Sequence, residues 1–203
     1  MNALIWLVPA IVAWAVLVWF FWKAGAWLPY YVLGSAGLAL FVVVLGREVL
    51  PLETGLRIAT ANVVNVTAGL LGLNTTVDRV DAGSLLVIGV PFHQQWTNLS
   101  IGLECSGLLE GSVLIGLVAF FPASSMVTRS KLLILALVAT FVANIIRMMV
   151  IVGAVGMLGQ GALDVAHVVL GRIVFFALAV MIYWFVITKP TLRTVALRLR
   201  EPS

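Results

Sequence analysis

Leu132–Val152 reads LLILALVATFVANIIRMMVIV, 21 residues that hold one charge, Arg147, and one amide, Asn144. About 20 apolar residues cross a hydrocarbon core, so the stretch reads as a membrane span with two costly side chains towards one end. Four further stretches read the same way, at about 4–22, 27–45, 108–121 and 168–187. A fifth, about 56–73, holds Asn62 and Asn65 and starts beside Glu53 and Arg57. It can span or lie in the interface as an amphipathic helix.

The 203-residue chain is 63% hydrophobic and 10% charged, with a mean hydropathy of +1.16. Soluble domains carry about 25% charged residues. Twelve Lys and Arg with eight Asp and Glu cannot cover a soluble surface of this size, which excludes a soluble enzyme, a disordered chain and a nucleic-acid binder. The isoelectric point near 9.7 fits the basic excess on the cytoplasmic side of membrane proteins. One cysteine, Cys105, allows no intrachain disulfide, and two histidines, His93 and His167, are too few for a metal cluster. Gly153, Gly156, Gly159 and Gly161 read as a flexible turn without phosphate-loop spacing. No metal or cofactor is therefore expected, and the N-terminal run, followed at once by a second, is not expected to be a removable leader.

The expected fold is an all-α, polytopic transmembrane bundle of about six spans, a single integral-membrane domain over 1–203. Residues 74–104 form the one long polar loop. It holds Asp78, Arg79 and Asp81 and then the strand-like run Leu85–Val90, and is expected as a small hairpin. With both termini inside, eight of twelve basic residues are cytoplasmic: Arg47, Arg57, Arg129, Lys131, Lys189, Arg193, Arg198 and Arg200. If 56–73 lies in the interface, the N-terminus moves outside. The polar loop is extracytoplasmic either way.

Helical rise converts sequence distance into depth. Cys105 is 16 residues from Phe121 and Arg147 is 16 past Lys131, each about 24 Å above the inner face. His167 is 22 residues before Lys189, about 33 Å up. Three helices thus bring Cys105, Arg147 and His167 towards the outer boundary. Glu110 and Arg172 each lie five residues inward of Cys105 and His167, about 7.5 Å deeper. An ion pair between them would offset the cost of burying either charge.

Glu104-Cys105-Ser106-Gly107, Asn144-Ile145-Ile146-Arg147 and a later His167 resemble the exosortase/archaeosortase family of prokaryotic membrane cysteine transpeptidases, over about residues 100–187. The resemblance implies cleavage of exported proteins near a C-terminal tail of short motif, hydrophobic helix and basic cluster, at the extracytoplasmic face of the plasma membrane. The acyl group then passes to water or to an acceptor such as a membrane lipid. It implies Cys105 as nucleophile and His167 as base. Arg147 suits the oxyanion, because guanidinium stays charged in a low-dielectric site. Asn144, one turn before Arg147, would orient it or the substrate. Gly107 would admit the substrate backbone, while Ser106 and Glu104 would tune local hydrogen bonds.

Plainer readings exist for each residue. A lone cysteine is most often an inert core residue, and a boundary arginine can snorkel to phosphates. His93, in the loop before the cysteine, is a competing base. The tryptophans mostly fall near span ends, as interfacial belts do, and the basic tail suits anionic lipid. Two other functions fit the composition: a small transporter or channel-like subunit with Glu110, Arg147 and Arg172 along a polar path, and a non-catalytic assembly factor.

Overall fold

The computed structural model describes residues 2–80, 85–92, 95–121 and 126–189. His93, Asp81 and the tail residues Arg193, Arg198 and Arg200 lie outside the described residues, as do the side chains of Glu104 and Arg79.

Helices α1 (Asn2–Lys23) and α2 (Trp27–Glu48) form a hairpin about Gly25, whose φ of 68° favours a residue without Cβ. Pro29 is the third residue of α2, where the missing N–H has no intrahelical partner to lose. Among the described residues, three helical stretches are long and apolar enough to cross a membrane: Trp27–Glu48, Val127–Leu158 and Gln160–Val186. Two shorter apolar helices, Leu7–Lys23 and Leu108–Phe120, join them. The fold is an all-α membrane bundle, as the composition requires.

Small residues set the closest packing. Helix α5 (Leu108–Phe120) lies against α2 through Gly116 and the Ser35 backbone, and through Phe120 and Gly34. A Cβ at Gly116 would strike the Ser35 carbonyl. Without a hydrophobic drive between helices in lipid, such close backbone approach is what holds them. At the far end of α5, Arg129 donates to the carbonyls of Ala119 at 2.9 Å and Phe121 at 2.6 Å, capping its last turn with a cation.

The two helices run antiparallel, because the last turn of α2 meets the first of α5, with Gly46 beside Leu108. Helix α3 (Leu52–Leu70) therefore starts beside the first turn of α5, where Glu53 joins Arg57 at 2.7 Å and Arg47 at 3.1 Å. It stays there, burying Thr60, Ala61, Val64 and Ala68. Leu52–Leu70 is not one of the helices long and apolar enough to cross a membrane.

The polar loop is richer than a hairpin. Strands β1 (Thr76–Val80), β2 (Leu85–Phe92) and β3 (Gln95–Ile101) form an antiparallel sheet in the order β1-β2-β3, with Ile88 opposite Leu99 and Val90 opposite Thr97. Alternation buries Ile88, Val90, Thr97, Leu99 and Ile101 on one face. That face joins Ala61 and Val64 of α3 and Met148, Ile151, Val152 and Val155 of α6 (Met126–Leu158) in one core, which includes Cys105.

Helix α6 is 33 residues long, well beyond the expected 132–152. Gly153 and Gly156 stay helical because this last part is packed by protein, with Gly156 against Leu73 and Val90. The expected flexible turn at Gly153–Asp164 begins only at Gly159, with φ of 78°. After a 3-10 turn at Gln160–Ala162 come a π-helical segment, Val165–Leu170, then α7 (Gly171–Tyr183) and a second π segment, Trp184–Thr188.

Candidate active site

Strand β3 ends at Ile101. Gly102 keeps the chain extended (φ −86°, ψ −172°), and the one-turn helix α4, Leu103–Ser106, follows. The Cys105 N–H donates to the Gly102 carbonyl at 3.1 Å, closing that turn. Gly107, with φ of 76°, then breaks the helix before α5 starts. A β-carbon is strained at this φ, so Gly107 shapes the nucleophile turn. Ser106 is fully buried, and its Oγ accepts the Leu108 N–H at 3.1 Å, satisfying one of the first donors of α5.

Cys105 is 1% exposed, and its Sγ lies 3.3 Å from His167 Nε2. A sequence separation of 62 residues thus closes to a hydrogen-bonding contact, where the rise of a helix alone leaves the two about 9 Å apart in depth. His167 sits inside the π-helical segment, a widening that recurs at functional sites because it re-aims a side chain against the regular helical rotation. The expected span boundary at 168 is therefore displaced, and His167 lies within the helix.

Asn144 is placed differently from the expectation. Its Nδ2 donates to the Cys105 carbonyl at 2.7 Å, so it holds the nucleophile turn. Its Oδ1 is buried and meets no hydrogen-bond partner among the described residues. Gly107 lies beside the same amide: a Cβ there would come within 3.6 Å of Nδ2. Asn144 thus ties α6 to the backbone of the cysteine.

Arg147 is buried, with its guanidinium 5.8 Å from the centroid of the Phe175 ring, within cation–π range. Arg147, Glu110 and Arg172 line one cavity of about 380 Å³ with Leu109, Phe175 and Phe176. The depth arithmetic thus brings Glu110 and Arg172 to a common wall, with Arg147 as a third charge. This cavity shares Leu109, Glu110, Phe175 and Phe176 with an apolar groove of about 430 Å³ between α5 and α7, which reaches Thr140 and Tyr183.

Sequence reasoning missed Phe175, which stands three residues after Arg172 and so on the same helix face. It also missed α3 as a wall of the site. The signal there was the run of small residues Ala59-Thr60-Ala61, which permits close helix approach.

A model of the transmembrane exosortase family matches residues 2–185, so the family likeness extends through the first hundred residues as well as the motif-bearing half. Comparison with curated proteins and with solved structures gave no match. With the family model covering nearly all of the helical bundle, its cysteine turn and its Asn-x-x-Arg helix, the chain belongs to the transmembrane exosortase family.

Proposed function

We propose that this protein is a cysteine peptidase or transpeptidase of the prokaryotic plasma membrane, acting on exported proteins that carry a C-terminal tail of motif, hydrophobic helix and basic cluster. The observation that carries the reading is the 3.3 Å contact between Cys105 Sγ and His167 Nε2. A thiol is a weak nucleophile until deprotonated, and an adjacent imidazole supplies the base. His167 takes the thiol proton as sulfur attacks the scissile carbonyl, and Arg147 stabilises the tetrahedral oxyanion. Collapse breaks the C–N bond, His167 returns the proton to the leaving amine, and a thioester remains on Cys105. Water, or a nucleophile on a lipid or other surface acceptor, then displaces the thiolate. Asn144 contributes by fixing the Cys105 carbonyl, and the thiol with it, against α6.

Charge distribution supports an extracytoplasmic site. Lys23, Arg129, Lys131 and Lys189 lie towards the end of the bundle away from the sheet, where Lys23 falls if the N-terminus is outside, while Arg47 and Arg57 are neutralised in part by Glu53 at the sheet-bearing end. By the positive-inside rule the sheet and Cys105 face outward. A transport role would use the same Glu110, Arg147 and Arg172 cavity, but it leaves the cysteine–histidine contact without a purpose. An assembly factor would leave it idle too.

The test is processing of a co-expressed tail-bearing protein. Cys105→Ala and His167→Ala, each inserted in the membrane at wild-type level, are expected to lose about 1,000-fold or more of the rate. Full processing without the thiol rules the enzyme out.

A further inference from the structure

The two edges of the sheet are unlike. Strand β1 is five residues long and carries Asp78 and Arg79, the short, charged form by which proteins prevent an edge from pairing with another chain. Strand β3, Gln-Trp-Thr-Asn-Leu-Ser-Ile, is seven residues long, without charge, proline or glycine. Among the described residues no strand pairs with its second edge. Its inward residues Thr97, Leu99 and Ile101 are buried, while Trp96, Asn98 and Ser100 are exposed. An unprotected edge invites main-chain hydrogen bonds from an added strand.

This edge leads to the candidate nucleophile. Gly102 continues the extended backbone, and the Cys105 N–H bonds the Gly102 carbonyl at 3.1 Å. The cysteine is therefore one turn from the end of the strand. Beside Gly102 there is room, since a Cβ built there meets nothing within 4 Å. A peptide paired with β3 runs about 4.8 Å from it and continues past Gly102 towards Cys105.

We infer that the free edge of β3 and the open space beside Gly102 form the docking track for the substrate, an extended peptide segment that adds as a fourth strand and delivers its scissile bond to Cys105. The inference rests on the peptidase reading above. Main-chain pairing supplies affinity, and Asn98 and Ser100 face alternate side chains of the incoming segment, while the Trp96 ring leans the other way, over Gly89 of β2.

Two measurements test it in the full-length protein in its own membrane. A benzophenone amino acid is placed at Asn98, Ser100 or Asp78 in a Cys105→Ala background, and the cross-linked peptides are sequenced by mass spectrometry. The expected result is cross-linking from positions 98 and 100 to the segment just before a hydrophobic helix of the captured protein. Moving the label two residues should move the cross-link two residues, and position 78 should give none. The second variant, Gly102→Ile, suits the extended backbone, and its Cβ meets nothing within 4 Å among the described residues, so membrane level should stay at wild type. Filling the track should lower processing about 100-fold while leaving the iodoacetamide alkylation rate of Cys105 unchanged. If Cys105→Ala accumulates uncleaved tail-bearing proteins but positions 98 and 100 give no register-shifted cross-links, or Gly102→Ile processes normally, the track is wrong and the peptidase reading stands. If no precursor accumulates, the peptidase reading fails and the inference fails with it.

Discussion

The sheet-bearing end of this molecule is built like a soluble domain, and the opposite end like a membrane bundle. Around Cys105, residues from α3, β2, β3 and α6 close a continuous buried core. Away from the sheet, the buried cluster shrinks to Val118, Ala136 and Val186, and apolar side chains such as Phe176 (71% exposed) point outward. Hydroxyl and amide side chains along α2, α5 and α6 differ in reach. Ser35, Ser112 and Thr140 bond carbonyls of their own helices, Tyr31, Leu109 and Ala136, at 2.6 to 2.8 Å. Asn144 instead bonds across elements, to Cys105. A Ser or Thr hydroxyl on a helix satisfies itself locally, whereas a longer side chain reaches another element, as Trp14 Nε1 does to the Leu33 carbonyl at 2.8 Å and Asn144 does to Cys105. The candidate site sits where α6 leaves the lipid-facing bundle and enters the packed layer.

The contrast can be broken at either end. The largest effect is expected from Gly116→Val, which drives a side chain into the Ser35 backbone and should cost about 3 kcal/mol or more, read as loss of the folded protein in a detergent-denaturation series. A wild-type denaturation midpoint would mean that α2 and α5 are not held by close approach. Next is Asn144→Leu, which removes the donor to the Cys105 carbonyl and should cost about 1–3 kcal/mol, with loss of processing. Ser112→Ala, whose bond is local, should cost about 1 kcal/mol or less. Equal costs for the two would erase the distinction between the ends.

Charge reversal sharpens the middle of the molecule. Glu110→Arg and Arg172→Glu should each lower membrane level, and the double swap should recover part of it, because both line one cavity. A double variant no better than either single change contradicts the pairing. The smallest effect is a gain. Gly153 is helical with nothing within 4 Å of a built Cβ, so Gly153→Ala should stabilise by about 0.5–1 kcal/mol. A loss would mean that this part of α6 is not a packed helix.

Much of this was legible in the sequence, for reasons that also mark the limits. Apolar run length identified the membrane class, and the rise of a helix put Cys105 and His167 towards the same end of the bundle, though about 9 Å apart in depth. The same arithmetic could not say which member of Asn144-x-x-Arg147 meets the cysteine. That depends on helix rotation, on the π segment around His167 and on the positive φ of Gly107, none of which alters hydropathy. The continuation of α6 through Gly153 and Gly156 was hidden too, since its support comes from Leu73 and Val90, distant in sequence. The third strand and the bare edge of β3 depend on pairing, which alternation alone does not reveal.

The central claim is that His167 activates Cys105, and it can be tested without knowing the substrate. The measurement is the alkylation rate of Cys105, the only cysteine, by iodoacetamide at pH 7 in native membranes, for wild type and His167→Ala. With imidazole assistance the wild-type thiol should react about tenfold faster or more. Equal rates would contradict the account.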